Sequence, residues 1–267
     1  MTLVSPSQIR FDDGAAYERY MGAWSQRVGE AFLDWLALRP GLRWLDVGCG
    51  NGAFTEILAG RSDPQSVHGV DPAEGQIRYA RERPVASIAQ FSQGDAMALP
   101  FGEDLFDVAV MPLVIFFVPE PSQGVAEMVR VVRAGGTVAA YGWDLLGGGF
   151  PYEALHAEMR GMGIDIPMPP NPGASQIQSL RDLWSEAGLR DIETREIAAE
   201  RTFSDFDEYW TIVLGAPSVG PTLRAMAPEG TEALKARLRG RLGAAAQAPI
   251  VCGARANAVK GRVAKPS

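Results

Sequence analysis

The chain has 267 residues, 46% of them hydrophobic, which is enough to bury a full core in one large unit. With 32 acidic against 25 basic residues and a formal charge of −7, it lacks the basic footprint of a protein whose main partner is a phosphate backbone, so no nucleic-acid partner is expected. The two cysteines, Cys49 and Cys252, make neither a disulfide framework nor a zinc site unaided; the start MTLVSPSQIRFDDG has no signal-like regions and no apolar run reaches membrane-span length, so a cytoplasmic protein without metal or membrane insertion is expected.

From Trp24 the apolar positions Trp24, Val28, Phe32 and Trp35 or Leu36 recur every three or four residues, the stripe of an amphipathic helix, which Pro40 and Gly41 are expected to end. Residues 43–47 read as a short buried strand; a glycine loop follows, then a helix over 53–59 closed by Gly60. A second strand, 66–70, ends at Asp71, and a helix through Ile77 and Tyr79 to Arg83 leads to a third strand near 88–93. Residues 106–111 form a fourth strand, 123–133 a helix, and Ala134-Gly135-Gly136 a tight turn into a fifth strand, 137–143. Strands alternating with helices imply a parallel sheet covered on both faces. Beyond it, Gly147-Gly148-Gly149 and IPMPPNPG (166–173) are loop chemistry around a short helix near 152–162, placed to cover a site. A helix over 177–187 ended by Gly188, a sixth strand at 191–198, helical stretches at 204–214 and 231–242 and a last strand around 255–260 complete the chain.

In an open parallel sheet, ligands bind beyond the carboxyl ends of the strands where strand order reverses, and the first strand borders that crevice. Gly48, Gly50 and Gly52 fall there, followed by a helix whose first N–H groups face any anion. The run Gly48-Cys49-Gly50-Asn51-Gly52-Ala53 also satisfies the dinucleotide pattern G-x-G-x-x-G/A, with Asp71 placed as its ribose acid, so an NAD-dependent oxidoreductase has to be weighed. Three features separate the readings. Asp46 is an acid inside an apolar strand and needs donors, either backbone N–H groups bracing the loop or the ammonium of a methionyl moiety. Asp71, an acceptor at a strand end, can take both hydroxyls of a ribose, and as a surface carboxylate is expected to contribute little to stability. In GDAMALPF, Asp95 can accept from an adenine amino group while the Ala96 N–H serves a ring nitrogen, an element that nicotinamide enzymes do not require.

The segments LDVGCGNGAFTE, GVDPAEGQI, GDAMALPF, FDVAVMPLVIFFVPEP and MVRVVRAGGTVAAYGWD, in this order and spacing, resemble class I S-adenosylmethionine-dependent methyltransferases, in the branch that includes ubiquinone/menaquinone-biosynthesis methyltransferases. The resemblance covers residues 17–144 strongly and the rest loosely. It implies a Rossmann-like doubly wound α/β fold with a seven-stranded, mostly parallel sheet, an antiparallel last strand, and S-adenosylmethionine as cofactor across the strand ends. It places Asp46, Gly48, Cys49 and Gly50 around the methionyl part, Asp71 at the ribose, Pro72 on the adenine, and Asp95 with Ala96 at the adenine edge. After the fourth strand the family often has a Ser-Ala pair where this chain has Met111-Pro112; a backbone carbonyl contact survives that change and a hydroxyl contact does not. The run YERYMGAWS, Tyr17 to Ser25, is similar to the family's cover helix, with Tyr20 the preferred residue closing over the cofactor; the competing reading is a tyrosine packed on the first helix. The implied organisation is a single methyltransferase domain: cover helices in 1–40, cofactor core in 41–144, acceptor-side cover in 145–175 and 199–249, last strand and tail in 250–267.

Methyl transfer from a sulfonium needs alignment and desolvation for every acceptor, and a general base only for some. His68 reads as structural or surface; His156 lies where a base could face the acceptor, against the plainer reading of a polar surface residue. Phe116, Phe117, Trp143, Tyr152, His156 and Trp210 form the candidate acceptor wall, with Phe116, Trp143 and His156 preferred, and suit a planar or lipophilic small molecule; the competing reading is hydrophobic core. Met111-Pro112-Leu113-Val114 lacks the Asn-Pro-Pro-Tyr pattern of amide and exocyclic-amine methyltransferases. The alternative of another class is a protein that binds the cofactor without transferring methyl.

Overall fold

The computed structural model describes residues 18–243 and 248–264. A π turn, Glu18–Gly22, leads into α1 (Ala23–Leu36), whose stripe Trp24, Val28, Phe32 and Leu36 is buried as its spacing predicts. The helix stops before Pro40 and Gly41 are reached, because Ala37 takes a left-handed conformation at φ 48° and donates its N–H back to the Leu33 carbonyl. β1 (Arg43–Val47) follows, then α2 (Ala53–Ser62), β2 (Ser66–Asp71), α3 (Glu74–Glu82), a 3₁₀ turn at Pro84–Ser87 and β3 (Ala89–Gln93). Gly60, expected to close α2, lies inside it; the helix ends at Asp63, one of the few side-chain types that tolerate its φ of 41°.

β4 (Phe106–Pro112) is buried at every position, as befits a central strand covered on both faces. α4 (Pro121–Val131) connects it to β5 (Val132–Trp143). The expected tight turn at Gly135 and Gly136 is a register shift within β5: Val132 pairs with Phe106, then Thr137 with Val108. α5 (Glu153–Gly161), α6 (Ile177–Glu186) and β6 (Arg190–Phe203) come next, followed by α7 (Phe206–Leu214), α8 (Gly220–Ala225), α9 (Pro228–Leu242) and β7 (Ile250–Arg262).

The seven strands are ordered β3-β2-β1-β4-β5-β7-β6, parallel except for β7, which runs antiparallel to both β5 and β6. The expected sheet is therefore observed. The chain leaves β1 toward β2 and β3 and returns to β4 on the other side, so strand order reverses between β1 and β4 and a crevice opens beyond their carboxyl ends. At the opposite end of the same two strands, Asp107 of β4 accepts hydrogen bonds from the Arg43 backbone N–H at 2.9 Å, from Arg43 Nε at 3.0 Å and from Arg133 Nε at 2.5 Å. That clamp fixes the strand ends away from the crevice. Among the described residues no helix is long and apolar enough to cross a membrane.

Candidate active site

Asp46 is fully buried, one residue before the end of β1. The Thr55 hydroxyl, projecting from the first turn of α2, donates to Oδ2 at 2.6 Å, while Oδ1 has no hydrogen-bond partner among the described residues. Burial pushes the carboxyl up to about 7 against the lowering effect of Thr55, with the nearby Asp71 charge adding to the rise. Loop bracing by backbone N–H groups, one of the two readings of this residue, is not what the structure displays. An acceptor oxygen stands ready for a donor that the described residues do not supply.

The loop that follows is shaped by two glycines with different tasks. Gly48 sits at φ +75°, donates its N–H to the Val70 carbonyl at 2.7 Å, and has the Val114 side chain where a Cβ would be. Gly50 sits at φ +52° and a Cβ there would meet nothing within 4 Å, so its Cα faces open space. Its N–H donates to Asp71 Oδ2 at 3.0 Å, and Ala73 N–H donates to Oδ1 at 2.8 Å. Asp71 is thus a brace between β2 and the glycine loop as well as a strand-end acceptor. Its pKa is raised by burial more than the two N–H groups lower it. The expectation that it contributes little to stability is corrected by these two bonds; each oxygen retains a further lone pair for a hydroxyl. The Cys49 side chain turns into the core near Gly69, and burial pushes its thiol up, so only its backbone faces the crevice side.

Gly94 N–H donates to the Asp71 carbonyl at 3.1 Å, which ties the loop after β3 to the end of β2. Asp95, exposed, accepts the Met97 N–H at 2.8 Å on Oδ1, and Ala96 follows. Pro72 is exposed beside Asp71, its carbonyl held by Gln93. Asp46, Gly48 and Gly50, then Asp71 and Pro72, then Asp95 and Ala96 therefore follow one another along the carboxyl edge from β1 to β3. On the other side of β1, Met111 and Pro112 are buried at the end of β4. The next residue, Leu113, is held at φ 61° by its N–H bond to the Tyr141 carbonyl. A leucine gives no sequence signal for such a conformation, and this one was missed.

Leu113 opens onto a cavity of about 100 Å³ lined also by Tyr20, Phe116, Phe117, Trp143, Phe150 and His156, with Pro167, Met168 and Pro169 among the covering residues. Four of the six predicted wall residues are brought together here. The other two are corrected. Tyr152 is fully buried behind the wall, stacked on Tyr20 with ring centroids 4.3 Å apart, and donates its hydroxyl to the Tyr20 carbonyl at 2.6 Å. Trp210 stacks on Phe206 under the Lys235 ammonium. Both are drawn into aromatic packing among the cover helices, which composition alone does not separate from a pocket. Tyr20 combines its two readings: it is packed, on Tyr152, and it lines the cavity. Tyr17 lies outside the described residues. His68 is half-buried between Ser92 Oγ, at 3.0 Å, and the Phe101 ring, away from the cavity.

His156 is buried rather than a surface residue. Glu153, His156 and Arg160 line the cavity from one face of α5, a three-then-four spacing that a closer reading of the helix would have found. The covering loops are tied down by side chains that sequence reading passed over. Asp144 accepts from Gly147 N–H and from Arg255, which pins the glycine corner before Phe150. Asn171 donates to the Val118 and Pro119 carbonyls, holding the proline loop over Phe116, whose carbonyl takes the Asn171 backbone N–H.

Residues 45–140 match a family model described as a methyltransferase domain. Demethylmenaquinone methyltransferase of Desulfitobacterium hafniense is 36% identical over 107 residues, covering 38% of this chain and 42% of the relative. The chloroplastic 2-methyl-6-phytyl-1,4-hydroquinone methyltransferase 2 of Oryza sativa is 38% identical over 101 residues, covering 38% of this chain and 29% of the relative. The matched segment is thus less than half the length of either curated relative. Among solved structures, phosphoethanolamine N-methyltransferase 2 of Haemonchus contortus, with phosphomonomethylethanolamine and S-adenosylhomocysteine, superposes with a TM-score of 0.59 at 19% identity, over 96% of this chain and 58% of that one. Residues 45–140 are accordingly similar to a methyltransferase domain, in a chain whose fold is that of a solved methyltransferase.

Proposed function

We propose that this chain transfers a methyl group from S-adenosylmethionine to a small planar or lipophilic acceptor held in the aromatic cavity. The observation that carries the reading is Asp46 Oδ1, a buried carboxylate oxygen without a partner among the described residues, beside a glycine loop whose Gly50 faces open space. Its chemistry suits an ammonium group such as the cofactor's methionyl amine, and leaving such an oxygen unpaired costs roughly 1–3 kcal/mol. Asp71 would take the ribose hydroxyls, and Asp95 with the Ala96 N–H the adenine edge. The same loop fits a dinucleotide pattern, but the methyltransferase-domain match over 45–140 favours S-adenosylmethionine over a nicotinamide.

When bound, S-adenosylmethionine supplies an electrophilic methyl group on a cationic sulfur. The chain's part is alignment and exclusion of water. Leu113 lines the cavity while its neighbour Val114 packs over Gly48, so the acceptor wall begins one residue from the cofactor loop. Cavity residues fall in 145–175 (Leu145, Phe150 and His156 among them) and 199–249 (Pro217, Ser218), which supports reading those segments as acceptor-side cover within a single domain. The two curated relatives are named for a demethylmenaquinone and a 1,4-hydroquinone, which supports quinol-type rings as acceptors suited to an aromatic wall.

The test is incubation of the purified protein with methyl-labelled cofactor and a metabolite extract. Label moving to a small aromatic product is the expected result. Tight binding of S-adenosylhomocysteine with no label leaving the cofactor in any extract would instead make the chain a cofactor-binding protein.

A further inference from the structure

The chain carries nine methionines, of which Met1 lies outside the described residues. Met21, Met111, Met128 and Met159 are buried, Met97, Met162 and Met226 are half-buried, and among the described methionines Met168 alone is exposed, at 46%. Met168 also lines the aromatic cavity, so its side chain stands at the mouth, between solvent and the apolar wall. The loop that carries it is held in place. Pro167, Pro169 and Pro170 each fix their own φ, and Pro169 biases the Met168 backbone toward an extended conformation. Just beyond, the Asn171 side chain donates to the Val118 and Pro119 carbonyls at 2.7 and 2.9 Å, and its backbone N–H to the Phe116 carbonyl at 3.0 Å. The sulfur is thereby kept at the rim. The surroundings do not suit a polar group on it: the three prolines have no N–H to donate, and the cation on the same wall, Arg160, is ion-paired with Glu153.

We infer that Met168 is an oxidation site, through which a hydroperoxide weakens ligand binding in the cavity. The step is a two-electron oxidation in which the thioether sulfur attacks one peroxide oxygen and the O–O bond breaks. A sulfoxide S–O bond forms, the proton on the transferred oxygen passes to the departing one, and the peroxide leaves reduced to water or an alcohol. A flexible apolar side chain becomes a polar, chiral one. The new oxygen, with no donor in the proline loop beside it, holds water at the rim that an apolar ligand has to strip. The consequence for catalysis, loss of acceptor with the cofactor site intact, rests on the methyl-transfer reading; the oxidation and its effect on the cavity do not.

The experiment treats the full chain with hydrogen peroxide in steps, follows each methionine by peptide mass mapping, and titrates naphthalene into the wild type, Met168→Leu and Met168→Gln by fluorescence. Met168 is expected to oxidise on the order of tenfold faster than Met97, Met162 and Met226, because oxidation follows exposure. Naphthalene affinity should fall about tenfold in step with it, the order expected for a polar group set against an apolar ligand. Methionine sulfoxide reductases for the two epimers should restore that affinity. Met168→Gln should bind naphthalene as weakly as the oxidised wild type, Met168→Leu should show no response to peroxide, and S-adenosylhomocysteine affinity should be the same before and after treatment. Oxidation of another described methionine ahead of Met168, a sulfoxide at Met168 that leaves naphthalene affinity unchanged, a peroxide response that persists in Met168→Leu, or no naphthalene binding by the untreated wild type would overturn the inference. Absence of S-adenosylhomocysteine binding by the untreated wild type would overturn the cofactor reading instead, and the naphthalene series would still decide the role of Met168.

Discussion

Replacing Asp46 by Asn separates the site's function from the fold's stability. The carboxyl is fully buried and its pKa lies at about 7 rather than 3.8, so in the free protein the folded state holds its proton more tightly than the unfolded chain does. A folded-state pKa raised in this way means that stability falls as pH rises from the unfolded value through the folded one. At about 1.4 kcal/mol per pKa unit, the shift of roughly three units sets an upper bound near 4 kcal/mol on the cost of ionised Asp46 above pH 7. Asn is nearly isosteric, keeps a carbonyl for the Thr55 hydroxyl, and carries no charge. Asp46→Asn should therefore be more stable than the wild type, by roughly 2 kcal/mol more at about pH 8 than at about pH 5.5, in ligand-free urea unfolding followed by Trp fluorescence. The same variant should lose S-adenosylhomocysteine binding. A less stable variant, or a difference that does not grow with pH, would refute the reading of Asp46 as a charge held for a ligand.

Asp71→Ala should weaken S-adenosylhomocysteine binding by calorimetry and also lower stability by roughly 1–3 kcal/mol, because the Gly50 and Ala73 N–H groups lose their acceptor; unchanged affinity would remove it from the cofactor site. Gly50→Ala should cost only about 1 kcal/mol for its positive φ yet reduce cofactor affinity, whereas Gly48→Ala, which overlaps Val114, should destabilise by roughly 2–4 kcal/mol; the reverse ranking in urea melts would contradict the loop geometry. Asp107→Ala should lower stability by about 2 kcal/mol at neutral pH without changing cofactor affinity. Burial raises the Asp107 carboxyl, but hydrogen bonds from Arg43 and Arg133 outweigh it and hold the carboxyl well below its usual range. That contribution is present above the unfolded value and fades on acidification, so the gap between variant and wild type should narrow below about pH 4.

The central half of the fold was legible because its signals are local. Apolar runs in β1 and β4 and the stripe Trp24, Val28, Phe32 and Leu36 state their own burial, and the sheet with its antiparallel last strand followed from the family resemblance. Boundaries were less legible where conformation, not residue type, ends an element: Ala37 and Asp63 close helices in place of the expected Pro40 and Gly60. β6 and β7 extend to the pairing of Phe203 with Ile250, well beyond the predicted segments, because their alternation is carried by alanines and charged residues with little hydrophobic contrast. On the cofactor edge, Asp46, the glycines, Asp71 and Asp95 were readable from position relative to strand ends. Thr55 was not, since its role depends on α2 folding back over β1. The acceptor wall was half readable: aromatic residues announce burial, but only packing divides Phe116 and Trp143, which face the cavity, from Tyr152 and Trp210, which face other rings.

The most direct measurement is calorimetric titration of S-adenosylhomocysteine into the full chain at about pH 6, 7 and 8, with NADH as the control ligand. With Asp46 titrating at about 7 in the free protein, one-to-one binding is expected to strengthen as pH rises and its carboxylate becomes available to the ligand's ammonium, and to vanish in Asp46→Asn. Binding of NADH with none of S-adenosylhomocysteine, or S-adenosylhomocysteine affinity indifferent to both pH and Asp46→Asn, would contradict the proposed cofactor site.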